Sequence, residues 1–463
     1  MKAVLVLLLL MLGGLSCGCF AHAECLTVSC HPGLAEQAYP HTPVEEDCLA
    51  CHVAVTAAHP VAGEKNFRLV AEGAQLCYQC HDPFPGRSIH APVKEGECLA
   101  CHQVHGGENP YLLGVGNNLA PLCFGCHDDA AFRLDYRHGP AAAGACTSCH
   151  DPHAAESIKL QKKPVRDACL ECHADFARQM SQAPIVHEPV REAPCTDCHD
   201  PHAGVARYVL KQKMPDLCFT CHEDNGERLA AVKVPHAPLN DARSCGSCHS
   251  THFSQASGLL PDVERNVCLG CHGSNTLGNP PLADIRVQLQ EKPVTLRVRG
   301  RRVAQEQKDK QYLHGPLQEG KCSGCHDPHG SDNFRILTGP YPADFYAPYK
   351  DGIYDFCLQC HERYLLRFKE TTLYTEFRNG TSNLHVMHVG DKRKGRTCRI
   401  CHEAHASNGS KLINLDGSRF GDWKVPINLK LTPAGGSCAP GCHQPLAYDR
   451  ETPVIYRLPA AEE

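Results

Sequence analysis

The sequence predicts an elongated array of short repeats, made mostly of irregular coil with short α-helices and organised around covalently bound groups. Three observations carry this prediction. A Cys-x-x-Cys-His pattern recurs along nearly the whole chain. The 34 Pro and 38 Gly among 463 residues exceed the ~12% that the two types average together. Thirteen regular copies and two wider ones leave roughly 30 residues each, whereas an ordinary domain with its own core needs ~100 to 150.

The pattern itself points to a cofactor. In Cys146, Cys149 and His150, two cysteines three apart are followed at once by a histidine, which is the attachment signature of a c-type haem. One tight turn presents two thiols to the two vinyl groups at the haem edge and places the histidine beneath the iron. A single copy would also suit half of a zinc site. Thirteen regular copies exclude that interpretation.

The thirteen regular motifs share this Cys-x-x-Cys-His spacing. They are Cys48, Cys51 and His52; Cys77, Cys80 and His81; Cys98, Cys101 and His102; Cys123, Cys126 and His127; Cys146, Cys149 and His150; Cys169, Cys172 and His173; Cys195, Cys198 and His199; Cys218, Cys221 and His222; Cys245, Cys248 and His249; Cys268, Cys271 and His272; Cys322, Cys325 and His326; Cys357, Cys360 and His361; and Cys398, Cys401 and His402.

Two wider motifs complete the series. Cys438, Cys442 and His443 have one extra residue between the thiols, and Cys25, Cys30 and His31 have two. We interpret both as haem sites; the alternative is a disulfide or free thiols. The predicted cofactor is therefore covalently attached haem c, in about fifteen copies.

The first 23 residues predict a cleaved secretory signal. Lys2 precedes an apolar run, and Ala21-His22-Ala23 supplies a small-residue cleavage site. Cleavage before Cys17, as in a lipoprotein, is the competing interpretation. With the signal removed, 30 of the 32 cysteines remain and the fifteen motifs use them all. Nothing later approaches the ~18 consecutive apolar residues of a membrane span, so we expect an exported mature chain without a transmembrane segment, periplasmic or associated with the outer membrane.

The remaining histidines match the haems in number. A haem iron has a second axial position, whose occupant decides between electron transfer and ligand chemistry. Of 31 histidines, fifteen follow motif cysteines and His22 lies in the signal. The other fifteen are predicted distal ligands: His41, His59, His90, His105, His138, His153, His187, His202, His236, His252, His314, His329, His385, His388 and His405.

The order of these histidines is regular too. From the motif at Cys25 to the motif at Cys357, one of them falls between each motif and the next. His153 is too close to His150 to reach the opposite face of the same haem, so we expect it to serve a neighbouring one. His385 and His388 lie between the same two motifs, whereas no histidine follows the final motif. We therefore expect one of this pair to serve the haem at Cys357 and the other the haem at Cys438.

Pairs of motifs recur at nearly constant spacing. We place a regular array with eleven haems at 24–275 and a C-terminal region with four haems and long insertions at 276–463, after the signal at 1–23. Alternating apolar and polar residues predict a small β-hairpin in 285–303. The apolar spacing in 363–377 predicts an amphipathic helix with Leu365, Phe368, Leu373 and Phe377 facing inward.

These doubled motifs resemble the multihaem c-type cytochromes, a class that includes cytochrome c3-like and extracellular electron-transfer proteins. The resemblance covers nearly all of the mature chain and is specific for haem and electron transfer. Related arrays serve as periplasmic carriers, porin-plugging conduits, filaments and subunits of membrane-bound redox complexes. The resemblance therefore implies other redox proteins as partners: cytochromes, a quinol oxidoreductase or a porin–cytochrome complex.

Charge argues against a nucleic-acid partner. The formal charge is −5, and two propionates on each haem, partly offset by ferric iron, bring the holoprotein to roughly −20. We expect an electron-transfer protein with about fifteen bis-histidine, low-spin haems forming an electron-hopping chain, and no catalytic residue. The alternative is a reductase of the nitrite or hydroxylamine type with one open haem, or a subunit of a filament or porin conduit. Such reductases usually mark the open site by replacing the proximal histidine with lysine, and no Cys-x-x-Cys-Lys occurs.

The number of attached haems is the first testable prediction. The intact mass of the purified protein should correspond to fifteen haems, because all 30 cysteines after the signal are used. Thirteen would show that the wider motifs at Cys25 and Cys438 are not attachment sites.

Overall fold

A computed structural model describes residues 31–273 and 312–456, apart from 32, 35, 57, 58, 60, 416, 421 and 422, together with residue 285 and the short strands 296–298 and 301–303. The predicted signal, Cys25, Cys30 and most of the 285–303 segment lie outside the described residues. The described chain is a repeat array of paired motifs with few helices, mostly coil and small sheets.

The described α-helices are short, and the longest have nine residues. They span Thr42–Glu46, Ala74–Cys77, Ala91–Glu95, Ala120–Cys123, Gly139–Ala142, Val165–Cys172, Ala174–Gln182, Glu188–Glu192, Asp216–Phe219, Glu223–Ala231, Glu264–His272, Gly315–Gln318, Asp355–Leu358 and Leu384–Val389. Within the described ranges, no helix is long and apolar enough to cross a membrane.

Helical turns occur at fixed places in each repeat. A short helix begins directly after the histidine that opens a repeat, as at His41, His90 and His138, where a proline occupies the first turn. Proline suits this place because it needs no hydrogen-bond partner there and its φ is already helical. The first motif of a repeat starts or lies in a 3-10 turn, as in Cys98–Ala100 and Cys146–Ser148. The second motif starts inside an α-helix, as at Cys169.

Two-residue antiparallel strand pairs tie neighbouring repeats together. In the N-terminal repeats they join Tyr39–Pro40 to Gly106–Gly107, Ser88–Ile89 to Ala154–Ala155, and Tyr136–Arg137 to Ala203–Gly204. Later repeats join Ile185–Val186 to Phe253–Ser254, Val234–Pro235 to Gly330–Ser331, and Tyr312–Leu313 to Ala406–Ser407. One strand of each pair ends directly before a repeat-opening histidine, and the other begins directly after the histidine that lies three residues beyond a motif. The pair therefore fixes the positions of both histidines.

The remaining strands are local. His52–Ala54 pairs with Phe67–Leu69, Arg378–Asn379 with Ser382–Asn383, and Ser418–Phe420 with Trp423–Val425. A three-stranded antiparallel sheet near the C-terminus contains Lys430–Leu431, Gly435–Cys438 and Leu446–Asp449. Leu296–Val298 pairs with Arg301–Val303 in antiparallel register, which confirms the predicted hairpin over these residues.

The chain forms two compact units. Unit 1 contains residues 1–177 and 193–212, and unit 2 contains residues 178–192 and 213–463. The division at residue 275 drawn from the motif spacing stays a prediction.

Buried apolar clusters occur, within the described residues, in the C-terminal part of unit 2. The first is formed by Tyr354, Leu358, Leu366 and Val389. The second is formed by Ile400, Val425 and Ile427. The regular repeats offer few other buried apolar side chains.

The predicted amphipathic helix at 363–377 is wrong beyond its first turn. A 3-10 turn covers Arg363–Leu366, and the chain then leaves the helix. Thr371 Oγ1 accepts hydrogen bonds from the backbone of Leu373 and Tyr374, and Thr375 Oγ1 accepts one from Phe377. Such local bonds offer the backbone an alternative to helical pairing.

The predicted inward face of this segment is accordingly only partly present. Leu373 is 83% exposed and Phe368 43%. Leu365 packs against the first apolar cluster, and the Phe377 ring lies against His385 and His388.

Asn383 organises the start of helix Leu384–Val389. Its buried side chain accepts hydrogen bonds from the backbone of His385 and Val386 and donates to the carbonyls of Leu365 and Phe368, both at 2.9 Å. It therefore caps the helix and fixes the preceding loop at the same time.

Asn383→Ala should destabilise this region by about 2–4 kcal/mol, because the cap is lost and two buried carbonyls lose their donor. Amide hydrogen exchange of residues 384–389 should become faster. Asn383→Asp keeps the capping oxygen but also removes the donor to both carbonyls and buries a carboxylate beside them, so it should lose protection as well. Unchanged exchange in the alanine variant would contradict this role for Asn383.

Candidate haem sites

The motif cysteines are available for attachment. No disulfide joins cysteines of the described ranges, and their side chains are exposed or of intermediate exposure. Several thiols lie beside a thiol of the next motif. Burial and the thiol of Cys146 raise the pKa of Cys123 to about 11, and burial and the thiol of Cys195 do the same for Cys169.

The histidines form facing pairs, seven in each unit among the described residues. The pairs in unit 1 are His31 and His59, His41 and His81, His52 and His105, His90 and His127, His102 and His153, His138 and His173, and His150 and His202. Those in unit 2 are His187 and His222, His236 and His272, His249 and His329, His314 and His361, His326 and His405, His385 and His402, and His388 and His443.

The spacing within these pairs is nearly constant. Ring centres lie between 5.8 Å, for His102 and His153, and 6.5 Å, for His388 and His443. Metal–imidazole bonds are about 2.0–2.1 Å long, and a ring centre lies about 1 Å behind its nitrogen. Two imidazoles on opposite sides of one metal ion therefore have centres about 6 Å apart. The pairs have the separation that a bis-histidine iron requires.

One pair differs from the others in orientation. The rings of thirteen pairs are within 28° of parallel, whereas those of His388 and His443 are inclined by 48°. This pair belongs to the wider motif at Cys438. The other two predicted ligands, His199 and His252, lie in different units.

Backbone carbonyls fix the ring orientation of the motif histidines. In six of the described motifs, Nδ1 of the motif histidine lies 2.8–3.0 Å from the carbonyl oxygen nine residues on. These pairs are His102 and Tyr111, His150 and Lys159, His199 and Tyr208, His249 and Gly258, His326 and Arg335, and His402 and Lys411. A proton on Nδ1 leaves Nε2 free to bind metal, and such a hydrogen bond makes the ligand more basic.

A left-handed turn presents these carbonyls. Leu112, Leu160, Leu259, Ile336 and Leu412 each follow the acceptor residue and have φ between 51° and 57°. Large side chains seldom adopt this conformation, and strain of this kind concentrates at functional sites. The turn recurs in the same position from repeat to repeat, so it belongs to the site.

The repeat-opening histidines are fixed in a similar way by another repeat. Nδ1 lies 2.8–2.9 Å from a carbonyl oxygen in the pairs His41 and Val104, His90 and Pro152, His138 and Pro201, His187 and Thr251, and His236 and Pro328. The backbone amide of His90 donates to the carbonyl of His153, and that of His138 donates to His202. The histidines of two sites thus hold each other in place.

The histidines of the regular repeats pair in two ways. A repeat-opening histidine faces the second motif of its own repeat, as His138 faces His173. The histidine three residues after a first motif faces the first motif of the preceding repeat, as His153 faces His102. The structure thus places His153 across from a neighbouring motif and not across from His150.

The C-terminal arrangement differs from our expectation. His361, in the motif at Cys357, faces His314, so neither His385 nor His388 serves it. His385 faces His402, and His388 faces His443 as expected for the final motif. The two kinds of pairing explain this arrangement. His314 opens the repeat that contains the motif at Cys357 and therefore faces His361. No further repeat follows the motif at Cys398, so His385 faces His402 in place of a histidine from a following repeat, and His388 faces the final motif as a repeat-opening histidine would.

Several contacts of the paired histidines were not predicted from the sequence. Asp151, Asp200 and Asp327 each accept a hydrogen bond from the backbone amide of the histidine two residues later, at 2.9–3.0 Å. The repeated Asp-Pro-His tripeptide was the available signal. The Phe84 ring also stacks on His153, with centres 4.1 Å apart.

Burial differs between the sites. Burial lowers the pKa of His385 to about 4 and also lowers the pKa of His402. Both imidazoles are therefore neutral at pH 7, the form that binds metal.

Within each unit, neighbouring motifs along the chain are neighbours in space. The first cysteine of a second motif lies beside the first cysteine of the next repeat, as for Cys77 and Cys98 in unit 1 and Cys268 and Cys322 in unit 2. The two motifs of one repeat are also close: burial raises the pKa of Cys101, and nearby Cys126 raises it further. The attachment sites consequently follow the chain order.

The same repeats define the class of this protein. A family model described as the doubled CXXCH motif matches residues 41–86, 90–132, 138–178, 187–227, 236–276 and 314–364, more than half of the chain. The protein is a multihaem c-type cytochrome, and its chain belongs to the doubled CXXCH motif family. Its six doubled motifs imply about 12 covalently bound haems. No curated protein matches the chain.

Proposed function

We propose that this cytochrome transfers electrons through about fifteen bis-histidine haems and performs no substrate chemistry of its own. The observation that supports the proposal best is the facing of histidines: in each unit, seven motif histidines have a second imidazole about 6 Å away. Three of the fifteen sites, at Cys25, Cys398 and Cys438, lie outside the six matched repeats.

The residues present fit haem c. The two thiols of each motif would form thioethers, and the following histidine would bind the iron. At His102, His150, His199, His249, His326 and His402 the binding atom would be Nε2, because Nδ1 is engaged by a backbone carbonyl. A haem iron with two histidine ligands exchanges single electrons between its ferric and ferrous states. The facing histidine would bind the iron from the other side, where a substrate or inhibitor would need to bind, and would so exclude ligand chemistry.

The order of the attachment sites supports transfer along the chain. In unit 1, neighbouring thiols connect the motifs from Cys48 to Cys195 in sequence, as Cys51 lies near Cys77, and Cys123 beside Cys146. In unit 2 the series runs from Cys218 to Cys438. Each unit thus holds a continuous row of sites.

A reductase with an open haem is the second candidate, but no observation favours it. Its iron would need a motif histidine without a facing partner or a lysine in place of that histidine. The facing pairs account for fourteen of the fifteen sites among the described residues. A filament or porin-conduit subunit would use the same sites and differ in its surfaces.

The setting that suits this chemistry is outside the cytoplasm. Haem attachment to thiols and the predicted signal both favour an exported protein, periplasmic or at the outer membrane. Its partners would be other redox proteins, among them cytochromes, a quinol oxidoreductase or a porin–cytochrome complex.

Carbon monoxide provides the test of this function. Dithionite should deliver one electron per haem to the oxidised protein. The reduced protein should bind no carbon monoxide at pH 7, because the proposal places a histidine on both sides of every iron. The absorption spectrum in the Soret region measures binding. Stoichiometric binding at even one iron would support the reductase instead.

The pairing of His102 with His153 can be tested separately. His153→Ala should convert one haem from low to high spin in the electron paramagnetic resonance spectrum. The affected haem should be the one at Cys98 and Cys101.

A matched background identifies that haem. In a Cys98→Ala, Cys101→Ala protein, which lacks the haem in question, His153→Ala should produce no high-spin signal. In a Cys146→Ala, Cys149→Ala protein the signal should persist. The reverse result would show that His153 serves its own motif.

A further inference from the structure

The site at Cys398 lies in apolar surroundings, which it shares in part with the motif at Cys357, whose Leu358 belongs to the first cluster. Its two cysteines lie between the two buried apolar clusters: Cys398 packs against Tyr354 and its neighbours, and Cys401 packs against Ile400 and its neighbours. Ile400, inside the motif, is 2% exposed.

The motif also contains a cation. The residues between its cysteines are Arg399 and Ile400, whereas no other regular motif has Lys or Arg between its cysteines. The Arg399 guanidinium lies over two rings, 4.4 Å from the centre of Phe420 and 5.0 Å from that of Phe334. Its Nη2 donates to the carbonyl of Ala343 at 2.7 Å. The side chain is therefore held in one position.

The charge of Arg399 is not neutralised by an ion pair within the described part of the chain. Its Nε is buried and has no hydrogen-bond partner there. Glu403, a nearby acid, is directed elsewhere: one oxygen lies 4.0 Å from Nδ1 of His405, and the other accepts a hydrogen bond from Asn414. A guanidinium keeps its proton at neutral pH, so a positive charge persists next to Cys398.

The facing histidine of this site has a weaker hydrogen-bond partner. Nδ1 of His385 meets the hydroxyl of Thr375 at 2.9 Å. The other anchored histidines described above meet backbone carbonyls. A strong acceptor at Nδ1 makes the imidazole a better donor to ferric iron, so a hydroxyl stabilises the ferric state less.

These features act in the same direction. Ferric iron carries one more positive charge than ferrous iron. A low-dielectric surrounding disfavours the extra charge, a nearby cation repels it, and a less basic ligand stabilises it less. We propose that the site formed by Cys398, Cys401, His402 and His385 holds the highest-potential haem of unit 2, tuned upward by Arg399. The inference rests on the electron-transfer function proposed above. It adds which haem of unit 2 is reduced first, because electrons occupy the haem with the highest potential.

Substitution of Arg399 tests the tuning. The full-length protein is titrated potentiometrically, and its reduction is followed at the haem α-band. In Arg399→Gln, the component of unit 2 with the highest potential should move to lower potential, and its amplitude should correspond to one haem. Arg399→Lys keeps the charge and should move it less. Lys394→Gln removes an exposed charge nearby and should leave it in place. An unchanged curve for Arg399→Gln would overturn the role of Arg399.

Removal of single sites tests the assignment. Cys398→Ala with Cys401→Ala should delete a high-potential component, whereas Cys322→Ala with Cys325→Ala should delete one of lower potential. Intact mass verifies the loss of one haem in each case. If the two deletions remove the opposite components, the proposal is wrong.

The two proposals fail in different ways. Carbon monoxide binding by the wild-type protein would contradict the electron-transfer function. Full low-spin character with an unchanged titration in Arg399→Gln would leave that function intact and contradict only the tuning by Arg399. If the Cys398 deletion does not mature, the comparison of Arg399→Gln with Arg399→Lys still decides.

Discussion

The constraint on which the structure depends is the separation of two imidazoles that bind one iron. Two ring nitrogens must meet the metal from opposite sides, each at about 2 Å, so two histidines must be held with their centres about 6 Å apart. Regular repeats with few buried apolar side chains offer little else to hold them. Strand pairs of two residues, carbonyls presented by left-handed turns and the histidines' own backbone amides supply the positioning instead.

This constraint also explains why the repeats interlock. The first site of a regular repeat is completed by a histidine of the next, as His52 is by His105 and His326 by His405. Repeat proteins in general depend on contacts between neighbours and need atypical terminal units. Here the C-terminal end is closed by helix Leu384–Val389, which supplies both His385 and His388 and whose start is fixed by Asn383.

The sequence predicted candidate ligands but not their pairing. The spacing of the cysteines follows from the covalent chemistry of haem attachment, which permits little variation, and the number and order of the other histidines predicted the second ligands. Which histidine faces which depends on the path of the backbone, and this is why His361 faces His314 and not His385. The helix predicted at 363–377 failed for a related reason: hydroxyls of Thr371 and Thr375 capture backbone amides that an apolar periodicity cannot reveal.

Repetition of a site does not imply repetition of its properties. Each motif supplies the same thiols and the same proximal nitrogen, so differences between sites must come from what surrounds them. His153 lies near the carboxylate of Asp151 and under the ring of Phe84, while Nδ1 of His329 lies 3.1 Å from the guanidinium of Arg228. Arg399 adds a cation inside a motif, between two aromatic rings. Charges and hydrogen bonds at the ligands set haem potentials. We therefore expect a row of similar attachment sites to acquire distinct potentials through a few unrepeated side chains.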